Sequence, residues 1–166
     1  MSRACVKEDS EAAPLVPRRA PLPEGTRNYV TLRGLGMLRA ELDALVAELG
    51  RRERAGGASP VEMVALRTRI VELEARVVSA EPIDPTRGAR DIVRFGAHVS
   101  IRAADGTEKS YRIVGVDEAN AAEGRVAFVS PLARALLGKR VGDAAVWKTP
   151  RGDEEIEVTA IDFDAD

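Results

Sequence analysis

A chain of 166 residues, 45% apolar and 31% charged, is long enough for one ordinary domain or two small ones and can bury a core. With one Trp, two Tyr and three Phe that core is aliphatic, which argues against a pocket walled by stacked rings, and a net charge of -2 without a broad basic face argues against tight binding to bare nucleic acid. The single Cys5 excludes an internal disulfide and a multi-cysteine zinc site, no apolar run approaches the roughly 18 residues of a membrane span, and the opening MSRACVKEDSE lacks an apolar signal-peptide centre, so a soluble cytoplasmic protein is expected.

Residues 1–30 are rich in Pro, Arg, Glu and Ala, show no periodicity, and read as a disordered N-terminal tail. Thr31 can cap a helix in which Leu35, Leu38, Leu42, Leu45 and Leu49 recur at heptad spacing, forming one continuous seam. After a short break, Ser59-Pro60-Val61-Glu62 has the form of a capping box with proline at the first helical position. A second seam follows through Met63, Leu66, Ile70, Leu73 and Val77. So short a connection forces the helices to run antiparallel, and residues 31–80 therefore read as a coiled-coil hairpin with an arm of roughly 34 Å. Its tip, Arg54, Ala55, Gly56, Gly57 and Ala58, contains no carboxylate.

The breaker-rich EPIDPTRGARD, residues 81–91, reads as a linker, after which the period changes from helical to two. Phe95, Ala97, Val99 and Ile101 alternate with polar neighbours as in a strand with one wet face. Asp105-Gly106 marks a hairpin turn, residues 110–116 return, and residues 125–129 give a third strand. Ser130 caps a short helix running to Leu137, which Gly138 closes, and strands 144–148 and 155–161 flank a turn at residues 150–153. The fold class expected is α+β: a helical hairpin followed, over residues 92–166, by a small antiparallel sheet with one short helix.

These residues carry a resemblance. The run SPLARALLGKRVGDAAVWKTPRGDEEIEV, preceded by YRIVGVDEA and FGAHVSI, resembles the C-terminal domain of the Gre family of bacterial transcript cleavage and elongation factors. TLRGLGMLRAELDAL is similar to the start of the family's coiled coil, SAEPID to its exit, and MSRACVKED to the opening of GreB-type members. The resemblance implies an FKBP-like C-terminal domain that docks at the rim of the secondary channel of RNA polymerase, with the coiled coil inserted toward the active centre. It implies contacts to polymerase from Ser130 and Pro131, and from Leu132 and Arg134 beside them. Val129 departs from the pattern, since a polar residue precedes the Ser-Pro in other members.

Members that stimulate cleavage carry an acidic tip motif resembling G-D-x-x-E-N, whose carboxylates help hold a second Mg²⁺ and a water beside the polymerase's own metal. The tip of this chain lacks them, and its hairpin is shorter, each missing residue per arm withdrawing the tip by about 1.5 Å. In that respect the chain resembles the Rnk-like relatives. The expectation is a non-enzymatic regulator, with no metal or cofactor of its own, whose partner is RNA polymerase. It would meet nucleic acid only within the polymerase complex, have no membrane association and act as a monomer. A cleavage-stimulating factor that rescues backtracked polymerase is the alternative reading. A prolyl isomerase or chaperone, suggested only by the FKBP-like fold, would want aromatic pocket walls that this composition lacks.

Other residues have ordinary explanations. Glu53 and Glu62 flank the tip, but Glu62 belongs to the capping box and Glu53 lies among Arg51, Arg52 and Arg54, which suit a helix C-terminus. His98 falls on the polar side of its strand with no catalytic companion, and Lys139 and Arg140 suit the end of the short helix.

Overall fold

The computed structural model of the chain describes Arg19 and residues 21–164. Cys5 and most of the expected tail lie outside the described residues. The tail does not reach residue 30, because Asn28–Val30 is a strand, β1. It pairs in parallel with β2, Ala80–Pro82, which straddles the boundary between the expected hairpin and the expected linker. The two three-residue strands tie together the open ends of a helical hairpin whose helices are α1, Leu32–Ala55, and α2, Pro60–Val78. Strands this short carry no readable alternation, which is why period alone could not reveal them.

Thr31 caps α1 as expected, its Oγ accepting the Gly34 N–H at 2.9 Å. Both halves of the capping box at Ser59 and Glu62 are formed. Of the expected seams, Leu38, Leu66, Ile70 and Leu73 are buried, while Leu35, Leu42, Leu45 and Val77 are half-buried against them. Two helices can shield only the middle of each facing stripe, so a seam residue at its margin keeps contact with water.

The rest of the chain forms a five-stranded sheet in the order β5-β4-β3-β7-β6, with β3 at His98–Ala103, β4 at Glu108–Val114, β5 at Arg125–Ala127, β6 at Ala144–Thr149 and β7 at Gly152–Asp162. The expected sheet was wholly antiparallel; β5 instead lies parallel to β4. The cause is the connection over residues 115–124. It is built from two 3-10 turns and ends at Gly124, whose φ of 69° turns the chain back along its starting direction, so the pair is joined by a crossover rather than a hairpin. Between β3 and β7 the register slips between Ser100 and Ile101, which leaves Thr159 without a partner and bends the long strand.

The third helix, α3, spans Pro131–Leu136 and buries Leu132, Ala133 and Leu136 against the sheet. The core there comprises Val93, Val99, Ile101, Ile113, Ile156, Val158 and Phe163, aliphatic but for one ring. Three further aromatics meet at the edge of this core: Tyr29, Phe95 and Phe128, the last packed against the core itself, lie with ring centroids 5.6–5.9 Å apart between β1 and the sheet. Phe95 is free to do so because β3 starts only at His98, after a turn at Gly96.

Candidate functional site

Three regions carry the chemistry left over after the core is accounted for. The first is the hairpin tip. Gly56 and Gly57 have φ values of 70° and 80°, a left-handed pair that reverses the chain in the space of a few atoms, and the Gly56 N–H closes α1 on the Arg52 carbonyl at 3.1 Å. Arg54, Ala55, Gly56 and Gly57 are exposed and Ala58 is half-buried. The nearby carboxylates are engaged. Glu53 accepts from Arg67 at 2.8 Å, and Glu62 accepts the Ser59 N–H at 3.0 Å. That backbone bond, with help from the Ser59 hydroxyl and Arg52, holds the Glu62 carboxyl below the usual carboxylate range. Glu48, likewise lowered by hydrogen bonds from Arg52 and Arg51, neutralises much of the basic character of the tip. Among the described residues, no group of three or more His, Cys, Asp or Glu side chains is placed to hold a metal ion.

The second region is α3 and the loop before it. Ser130 Oγ accepts the Ala133 N–H at 3.2 Å, so its hydroxyl is committed to capping the helix. Pro131 and Arg134 are exposed on the face away from the sheet. Leu132 was expected at the same contact surface and is not there: only 4% exposed, it sits in the core with Leu136, one turn on and on the same face. Val129 is half-buried. Gly138, at a φ of 82°, ends the helix and donates to the Val93 carbonyl, while Arg140 pairs with Asp91. His98 is half-buried in β3 opposite Arg112, away from the core that Val99 and Ile101 enter.

The third region was not foreseen. The 3-10 turn at Val116–Glu118 drives two carboxylates into the base of the hairpin. Glu118, 3% exposed, accepts the Thr31 hydroxyl at 2.6 Å and lies 3.4 Å from an Arg33 guanidinium nitrogen, so the residue that caps α1 is itself held by the sheet domain. Asp117 pairs with Arg19 at 2.6 Å and with Arg76 of α2 at 3.2 Å; Arg19 also reaches Glu41. Gly115 packs so closely that a Cβ there would stand 2.7 Å from the Tyr29 carbonyl oxygen, and one on Gly34 would stand 2.6 Å from a Glu118 carboxylate oxygen. A sign of this joint was present in the sequence: a glycine inside a helix costs about 1 kcal/mol relative to alanine, and Gly34 lies in the first turns of α1.

Residues 87–163 match the family model for the C-terminal domain of the transcription elongation factors GreA and GreB. GreB of Neisseria meningitidis serogroup A is 35% identical over 155 positions, covering 83% of this chain and 95% of that protein. GreA of Thioalkalivibrio sulfidiphilus is 36% identical over 156 positions, covering 83% and 99%. Among solved structures, GreA factor homolog 1 of Thermus thermophilus matches with a TM-score of 0.41 and 24% identity, covering 82% of this chain and 99% of that one. Likeness in sequence to transcription elongation factors therefore runs through both the helical hairpin and the sheet domain. The chain belongs to the GreA/GreB family. An alignment of 155 positions that takes in 83% of a 166-residue chain also means that the Neisseria protein has residues with no counterpart here.

Proposed function

We propose that this protein binds RNA polymerase at the secondary channel and regulates elongation without stimulating transcript cleavage. In this reading residues 92–166 dock, the exposed Pro131 and Arg134 lie on the docking face, Ser130 shapes that face by capping α3, and the hairpin of residues 31–80 projects into the channel. The protein is then a regulator and not itself an enzyme. The observation that carries the reading is the tip: a neutral Ala-Gly-Gly-Ala turn whose flanking carboxylates are bonded to Arg67 and to Ser59. A second Mg²⁺ needs oxygen ligands that can leave their present partners cheaply, and removing Glu62 from the cap would release the start of α2.

The test is a gel of RNA from stalled polymerase incubated with Mg²⁺ and this protein. The transcript should shorten no faster than polymerase alone allows, and an excess of the protein should slow cleavage by a competent Gre factor until more of that factor is added, as mass action at a shared site requires. Shortening above the intrinsic rate would overturn the reading in favour of a cleavage-stimulating factor, and Glu53→Ala and Glu62→Ala would then identify the ligands. Arg134→Glu should weaken the polymerase complex by about tenfold with an unchanged melting curve. Leu132→Asp should abolish binding together with the fold of the sheet domain, because it places a charge in the core.

A further inference from the structure

Helix α2 is apolar on two faces. One carries the seam to α1. On the other, Val61, Val64, Thr68, Val71, Ala75 and Val78 also follow a 3-4-3-4-3 spacing, and the four valines are 79%, 62%, 63% and 86% exposed. At about 100° per residue this second stripe lies roughly 150° around the helix from the first. Scattered exposed valines need no explanation, but a heptad series of them along a whole helix is the pattern of a coiled-coil face without its partner. Thr68, the one polar member, returns its hydroxyl to the Val64 carbonyl at 2.9 Å and so presents its methyl group outward with the rest.

We infer that this stripe is the interface for a second copy of the chain, seated antiparallel on α2 about a two-fold axis between positions 68 and 71. The register follows from the sequence. Antiparallel coiled coils set a positions against d positions, which matches Val61 with the copy's Val78, Val64 with Ala75 and Thr68 with Val71, so every layer is apolar or small. The same register brings Arg67 beside the copy's Glu74 and Glu74 beside its Arg67, so the flanking charges are complementary. Both side chains are exposed in the single chain, and the Glu53 partner of Arg67 lies at the solvent edge where three charges can share one site. A parallel pairing would crowd the two sheet domains at one end; the antiparallel one places them at opposite ends. One helix-on-helix seam is smaller than a standard interface of about 1,600 Å², which places the dimer among weak, transient associations. The inference concerns the free protein and does not rest on polymerase binding.

Sedimentation of the full chain over a wide concentration range tests it. The weight-average mass should rise toward twice that of one chain. Val64→Glu with Val71→Glu should hold it at one chain, with helix content and melting close to the parent because both sites are exposed. Glu74→Arg should weaken association by roughly tenfold, since it sets arginine against arginine twice, and adding Arg67→Glu in the same chain should restore it. A parallel seam would set Arg67 near the copy's Glu72, and that rescue would fail. A single-chain mass at every concentration overturns the inference and leaves the stripe to residues 1–18 or to a foreign partner. Association that survives both valine replacements, or charge reversal without rescue, overturns it equally.

Discussion

At the scale of single residues, the two glycines in the first turns of α1 should respond to the same substitution with opposite signs. A Cβ on Gly36 meets nothing within 4 Å, so Gly36→Ala removes only the entropic cost of glycine in a helix and should stabilise the protein by about 0.5–1 kcal/mol. At Gly34 the added carbon would enter the space of the Glu118 carboxylate, which is buried and bonded to Thr31 and cannot swing into solvent. Gly34→Ala should therefore destabilise by about 1–3 kcal/mol, the cost of displacing a buried charged hydrogen bond. Denaturant melts of the two variants decide the matter, and two shifts of equal sign would mean that Glu118 does not hold the position described. Helical periodicity was legible from one sequence; the partner of Gly34 was not, because the bond from Thr31 to Glu118 joins positions 87 apart that no local pattern links.

Elements show the same division. Seams and caps are read from spacings of three and four residues, and the hairpin, its tip and the α3 cap stand where the sequence put them. Depth of burial within a seam is another matter, since it depends on how the facing helix sits. Leu73, 2% exposed, should lose about 2–5 kcal/mol on replacement by alanine, and half-buried Leu42 distinctly less. Equal losses in denaturant unfolding would show that the seam closes more tightly than described. The parallel setting of β5 and the β1–β2 tie escaped notice because three-residue strands have no period to read. The α2 cap adds a pH dependence. The Glu62 carboxyl is lowered by its bond from the Ser59 backbone, so its contribution is fully present above the ordinary glutamate range and is lost as the pH falls through the lowered value. Helix content at the start of α2, followed by amide hydrogen exchange or NMR, should fray over that range in the parent and be insensitive to it in Glu62→Gln.

On the scale of the whole molecule the question is how firmly two dissimilar parts are joined. The single Trp147 lies on β6, half-buried in the sheet domain, whereas α1 and α2 hold most of the helical residues, so tryptophan fluorescence and far-ultraviolet dichroism report on different parts. The buried joint at Thr31, Gly115 and Glu118 should make the two signals melt together. Gly115→Ala, which forces a carbon against the Tyr29 carbonyl, should separate them by several degrees; coincident curves in the variant would show that the joint does not couple the parts. The joint also fixes a direction in space. Glu118 grips the first turn of α1 and the neutral turn lies at the far end of its 24 residues, roughly 36 Å away, so the hairpin is a lever with its fulcrum in the sheet domain. A tilt of about 5° at the fulcrum carries the far end about 3 Å, the width of an atom's coordination shell. The aim of the hairpin is thus set less by the residues at its end than by one carboxylate and two missing methyl groups at its root.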